Sequence, residues 1–184
     1  MKVPMSRVFV ALWPTAEAAA GLSDLANDCA SRFGGRATRR ETIHLTLAFI
    51  GEVPSERLPA LIEVLEKVAA EPFDLRIDRL GYWPHNRLLW AGCGDTPQAL
   101  QTLVASLNRE LLDNGFAVAR PNEAFVAHLT LVRKLPHRNL PDMTEQLPEV
   151  QGISWQCRYF VLVESTLSPS GSSYRQLAVF HIDS

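Results

Sequence analysis

His44-Leu45-Thr46-Leu47 recurs, letter for letter, as His128-Leu129-Thr130-Leu131. Both copies sit among apolar, β-prone residues: Ile43 and Ala48-Phe49-Ile50 around the first, Phe125-Val126 and Val132 around the second. Successive side chains of an extended strand point to opposite faces. Each copy therefore reads as a strand that buries two leucines on one face and shows an imidazole and a hydroxyl on the other. With nine Thr and five His in 184 residues, two His-x-Thr pairs arise at random in about one chain in fifty. The matching leucines and the matching strand context make chance a weaker explanation still.

Working outward, the same order of elements leads into each copy. Val8 to Trp13 is an apolar strand, and Pro14-Thr15 starts a helix with Leu22, Leu25, Ala26, Cys29 and Phe33 at helical spacing, ended by Gly34-Gly35. Leu88 to Ala91 is again a strand. Thr96-Pro97 supplies an N-cap and a first-turn proline, and Leu100, Leu103, Val104, Leu107 and Leu111 form a helical stripe that stops near Gly115. Strand, helix and HLTL strand thus occur twice. The repetition predicts an α+β fold: one domain over residues 1–184, made of two pseudo-symmetric lobes, roughly 6–85 and 86–184. Antiparallel sheets line a central cleft, helices lie outside, and strands can exchange between the lobes. A pseudo-two-fold axis would turn the two His-x-Thr faces toward each other.

The rest of the chain fills in around this frame. Pro54-Ser55 opens a helix with the stripe Leu58, Leu61, Ile62, Leu65 and Val68, and Pro72 closes it. Phe73, Leu75 and Ile77 alternate with Asp74, Arg76 and Asp78, the period of a half-buried strand. Residues 81–86 read as a turn or loop, as do 120–123 and the proline-bearing 135–150. Trp155 to Leu167 reads as one long strand, Ser168 to Gly171 as a turn, and Tyr174 to Ile182 as the returning arm of a hairpin. Nothing before Arg7 looks structured.

Composition narrows the functions. The chain is 47% hydrophobic and 21% charged, an ordinary globular mix. A net charge of −2 and a pI near 6.2 exclude a general polyanion binder; nucleic acid would need a locally basic groove. Cys29, Cys93 and Cys157 have no metal-like spacing, and their odd number argues against a disulfide framework and fits a reducing compartment. The apolar run at Val8 stops at Pro14, too short for a signal peptide or a membrane span. A cytoplasmic monomer is the expectation.

Two His-x-Thr pairs across a cleft suit one kind of chemistry. An imidazole with a pKa near ~6.5 gives or takes a proton at neutral pH. One can protonate a leaving oxygen while the other takes a proton from water. Threonine hydroxyls can donate to the non-bridging oxygens of a phosphate as its charge shifts. A metal would need three or four ligands. Only two His stand near the motifs, HxH and HExxH are absent, and Glu41 and Glu123 lie at no telling spacing; neither metal nor cofactor is expected. Arg133 is a candidate phosphate or strand contact, against a plain solvated strand-end charge. Phe49 and Trp83 are candidate base-stacking rings, against core packing. Arg36, Arg39 and Arg40 are candidate RNA-phosphate contacts, against a solvated charge run.

These motifs resemble the 2H phosphoesterase superfamily, defined by two H-x-[ST]-x motifs, and in particular its RNA 2',3'-cyclic phosphodiesterase branch (LigT-like, or 2'-5' RNA ligase). Arg7–Leu12, Ile43–Val53, Leu89–Gly92, Ala127–Lys134, Glu164-Ser165 and Gly171–Tyr174 carry the resemblance over nearly the whole chain. Ala127 departs from it, standing where many relatives have Pro. The resemblance implies metal-free hydrolysis of an RNA or nucleoside 2',3'-cyclic phosphate to a 2'-phosphomonoester, with reverse 2'-5' joining at the same site. It implies His44 as proton donor to the departing 3' oxygen, His128 as proton acceptor from water, and Thr46 and Thr130 on the phosphate oxygens. Two alternatives stay open: a module that binds a nucleotide or RNA end without turnover, and a phosphodiesterase for another small cyclic or 2'-5' diester.

Overall fold

The computed structural model describes residues 3–119, 123–136, 146–169 and 171–182. In chain order its elements are β1 (Met5–Leu12), α1 (Ala16–Phe33), β2 (Arg36–Ala37), β3 (Leu45–Pro54), α2 (Leu58–Leu65), β4 (Phe73–Ile77), β5 (Arg79–Trp83), β6 (Leu88–Gly92), α3 (Gln98–Asp113), β7 (His128–Arg133), β8 (Ile153–Cys157), β9 (Tyr159–Ser168) and β10 (Gly171–His181). The main sheet is antiparallel, in the order β10-β9-β1-β3-β7-β6-β5, with β2 added on β7; β4 and β8 form a separate pair.

The repeated unit is visible in the pairing. β1 pairs with β3 across α1, and β6 pairs with β7 across α3. The two halves of the sheet join at one residue pair, Leu45 opposite Leu129. Both are the middle residue of a His-x-Thr motif. Partners cross between the halves of the sequence: β5 lies on β6, and β9 lies on β1.

Leu45 and Leu129 are fully buried in a core with Val8, Val10 and Leu12 of β1, Leu22 and Cys29 of α1, and Leu103 and Leu107 of α3. The helices cover this face: α1 packs on β7 and β8, and α3 packs on β3 and α2. Burial of this apolar surface is the main stabilising contribution. The three cysteines are free and buried within it; burial raises the thiols of Cys29 and Cys93 to about 11 and that of Cys157 to about 12. Among the described residues no helix is long and apolar enough to cross a membrane.

The first helix starts and ends on local signals. Thr15 caps α1 through its hydroxyl, which accepts from the Ala18 N–H, and Gly34 ends that helix at φ 81°. Five expectations need correction. Gly81 does not mark a loop; it lies inside β5, because a Cβ there would fall 2.2 Å from the Trp90 indole. Trp155 to Leu167 is not one strand: it breaks at Arg158 into β8 and β9, which serve different sheets. Thr96 does not cap α3; the Pro97 carbonyl takes the first helical bond, from Gln101 N, without a side-chain cap. The second helix is shorter than its stripe, with α2 ending at Leu65 and Val68 in the turn beyond. Order begins before Arg7, since Met5 and Ser6 pair with Pro54 and Val53. Residues 120–122 of the loop expected at 120–123, much of that at 135–150, and Ser170 of the turn lie outside the described residues.

Candidate active site

His44 stands just before β3 and His128 opens β7. Continued by one step, the antiparallel register at Leu45–Leu129 sets His44 across from Thr130 and Thr46 across from His128. The four polar side chains thus share the face opposite the leucines. The two imidazoles are near enough for the His128 charge to act on His44. All four side chains line one cleft of about 1020 Å³.

Each imidazole is oriented the same way. His44 Nδ1 lies 2.7 Å from the Thr42 carbonyl, and His128 Nδ1 lies 2.8 Å from the Val126 carbonyl. A carbonyl only accepts, so each Nδ1 carries the proton and donates. Each Nε2 is then left as the atom free to exchange a proton. Burial is the main cause that lowers the His44 pKa, to about 4, with smaller contributions from the Arg133 and His128 charges against the raising effect of its carbonyl bond. His128 is lowered by burial and by Arg133, again against its carbonyl bond. Both rings are neutral at pH 7 in the free site.

A β-bulge follows each motif at the same place. Ala11 pairs with Thr46 but Val10 with Ala48, leaving Leu47 as the extra residue. Trp90 pairs with Thr130 but Leu89 with Val132, leaving Leu131 as the extra residue. A bulge moves the following side chains to the other face. The fifth residue after each His therefore turns onto the cleft: Phe49 in one half, Arg133 in the other. Strict alternation would have sent both to the core side. Phe49 stands beside Arg7, whose guanidinium lies 5.0 Å from the ring centroid. Arg133 is the last residue of β7 and pairs in register with Arg36 of β2.

The other nominated residues divide. Arg36 and Arg39 line the cleft; Arg40 does not, because its guanidinium donates to the Ala16 carbonyl at 2.6 Å. Trp83 lines the cleft and packs edge-on against His128, with centroids 4.6 Å apart. Glu41 pairs with Arg39. Among the described residues no three His, Cys, Asp or Glu side chains gather closely enough to hold a metal ion. Of the lining residues, Arg7, Arg36, Arg39, Arg133 and Lys134 are cationic and only Glu123 is acidic. The locally basic groove that the net charge of −2 hides is here. The motifs alone did not point to Arg7, Phe9, Trp13 and Tyr174, which surround His44 and Phe49. The alternation of Phe9, Ala11 and Trp13 along β1 was the available signal.

The fold and the paired His-x-Thr face resemble those of the two-histidine phosphoesterases. Comparison with known proteins agrees: a family model described as LigT-like phosphoesterase matches residues 12–90. The RNA 2',3'-cyclic phosphodiesterase of Archaeoglobus fulgidus is 32% identical over 151 residues, 80% of this chain and 84% of the relative. That of Thermotoga maritima is 31% identical over 180 residues, 93% and 92% of the two chains. Among solved structures, E. coli LigT complexed with 3'-AMP superposes with a TM-score of 0.86 at 25% identity, over 98% of this chain and all of that one. The Thermus thermophilus protein TT0787 gives 0.80 at 27% identity, over 96% and 97%. The chain belongs to the LigT-like phosphoesterase family.

Proposed function

We propose that this protein hydrolyses the 2',3'-cyclic phosphate of an RNA end or nucleoside to a 2'-phosphomonoester, by acid–base catalysis without a metal. The observation that carries the reading is the pairing of two His-x-Thr motifs across Leu45–Leu129, each imidazole holding Nδ1 on a carbonyl and offering Nε2 to one cleft. The relatives named RNA 2',3'-cyclic phosphodiesterase support the substrate class.

In this mechanism His128 takes a proton from water as it attacks phosphorus, and His44 gives a proton to the departing 3' oxygen. Thr46 and Thr130 donate hydrogen bonds to the two non-bridging oxygens, whose charge grows in the transition state. Arg133 neutralises that charge, and Phe49 stacks on the base. The near-symmetry of the site does not choose donor from acceptor; the family resemblance does. Because both rings are neutral in the free site, the donor's proton has to be stabilised by the bound anion, which raises a neighbouring imidazole's pKa. The alkaline limb of the pH profile, where the donor loses its proton, is therefore expected at higher pH for kcat than for kcat/KM. With a 5'-hydroxyl in place of water, the same groups would form a 2'-5' diester as the bond to the 3' oxygen breaks and that oxygen takes the donor's proton.

The test is product analysis on a 2',3'-cyclic nucleotide with and without EDTA. A 2'-monophosphate, formed equally fast with the chelator, is the expected result. A 3'-monophosphate, or loss of turnover with EDTA, overturns the reading.

A further inference from the structure

His44 and His128 are held by the same hydrogen bond but not by the same packing. One ring, Trp83, meets His128 edge-on at 69°. Three rings surround His44. Phe9 lies 4.9 Å away at 31°, Tyr174 stands edge-on at 5.1 Å and 83°, and Trp13 stacks on it at 4.9 Å and 14°. Trp13 is the only one of the three that does not line the cleft.

The chain places Trp13 there for local reasons. Ala11 pairs with Thr46 and Leu12 with Leu45, so the next register step brings Trp13 beside His44. Pro14 holds the residue before it in extended backbone. Trp13 thereby keeps the alternation that puts Phe9 and Ala11 on the same face, and the three pack together with Tyr174 in a cluster apart from the main core. Tyr174 in turn stands edge-on to the indole at 6.2 Å and 79°.

An imidazole on a β-carbon has two soft rotations. The bond from Nδ1 to the Thr42 carbonyl fixes one edge of the ring, and a ring stacked nearly parallel fixes its plane. Together they leave Nε2 one direction, toward the cleft. We propose that Trp13 is a positioning residue: its indole, stacked on His44, holds the plane in which His44 presents Nε2 to the phosphate. The proposal deepens the phosphodiesterase reading, on which its kinetic consequence rests. It separates Trp13 from Phe49, which touches the cleft and would act on binding.

The experiment compares Trp13→Leu, which fills space without a ring face, with Trp13→Phe, which keeps a smaller one. On a 2',3'-cyclic nucleotide, Trp13→Leu is expected to lower kcat about tenfold or more while KM stays within about threefold, as a misplaced catalytic group does. Trp13→Phe is expected to recover most of the loss. A raised KM with kcat intact in Trp13→Leu would assign Trp13 to base binding and overturn the proposal. If Trp13→Leu does not fold, Trp13→Met takes its place.

A second readout needs no substrate. Nitrogen-detected NMR of the histidine rings reports tautomer and titration residue by residue. The charged and titratable groups around His44 are His128 and Arg133 of β7 and Tyr174 of β10, with Arg7 and Arg39 on the same cleft. Wild type is expected to show one Nδ1–H tautomer at His44 and a midpoint near 4. Trp13→Leu is expected to mix the tautomers and to move the midpoint up toward the ordinary value, with Trp13→Phe close to wild type. Unchanged His44 signals in Trp13→Leu overturn the proposal. A wild-type protein that turns over no cyclic phosphate would instead sink the phosphodiesterase reading, while the ring signals still decide whether Trp13 holds His44.

Discussion

The two HLTL copies are identical in sequence, share one hydrogen-bond pattern, and carry a bulge at the same leucine, yet their surroundings differ. The first lies against aromatic rings: Phe9, Trp13 and Tyr174 around His44, with Phe49 five residues on. The second opens onto guanidinium groups: Arg133 five residues on, with Arg36 opposite it. A duplicated unit supplies two proton-transfer groups, but a nucleotide is not symmetric. It has a flat apolar end and a charged end, and under the proposed function the two halves of the cleft offer a surface to each.

The largest expected effect tests whether the copies are equal partners in the chemistry. His44→Ala and His128→Ala should each lower kcat/KM on a 2',3'-cyclic nucleotide by about a hundred- to ten-thousandfold. The double variant should be little worse than the poorer single one, because groups that act as a unit are not additive. A single variant that keeps most of its turnover would break the comparison at its root.

The enclosure of His44 should also appear in stability. Its folded pKa of about 4 lies below the ordinary 6.5, so between those values the unfolded chain binds a proton that the folded protein does not. Stability then falls as pH drops from 6.5 to about 4, by up to about 3 kcal/mol from this ring, and is flat below. Urea unfolding at pH 7 and pH 4.5 should show a smaller loss for His44→Gln than for wild type. An equal loss would mean the ring is not enclosed as described.

The divergence at the fifth position can be sharpened by kinetics. Arg133→Ala should act mainly on kcat, by about tenfold or more, since it removes charge stabilisation in the transition state. Phe49→Ala should act mainly on KM, by about tenfold, since it removes a stacking surface present in ground and transition states alike. Interchanged signatures would reverse which end of the nucleotide each half holds.

The smallest effect is confined to the second half. Gly81→Ala sets a methyl 2.2 Å from the Trp90 indole, which itself lies against Trp83 and, through it, His128. A cost of about 1–2 kcal/mol is expected from overpacking, read as a lower Tm. The ring signals of His128 should shift while those of His44 stay put.

Much of this site was legible because its logic is short-ranged. His44, Thr46, His128 and Thr130 fall on one face by strand periodicity alone, and the repeat forces the two faces into equivalent roles. Arg133 and Phe49 could be nominated but not oriented, because each depends on a bulge at a leucine whose letter is the same in a regular strand. Arg40 was grouped with Arg36 and Arg39 by adjacency, yet it turns toward the start of α1 to bond the Ala16 carbonyl. Gly81 read as a breaker because its reason, the indole of Trp90, belongs to the neighbouring strand.

By itself, then, the order of residues determined that the chain builds the same strand–helix–strand unit twice and offers two His-x-Thr pairs on strand faces. Side-chain alternation and helical spacing are local properties of the backbone, so they survive without knowledge of partners. Only the tertiary structure decided that the halves join at Leu45–Leu129, that the two bulges turn Phe49 and Arg133 into the cleft, and that Trp13 stacks on one imidazole and not the other. Pairing register and ring packing arise between residues distant in the chain, and no local preference encodes them.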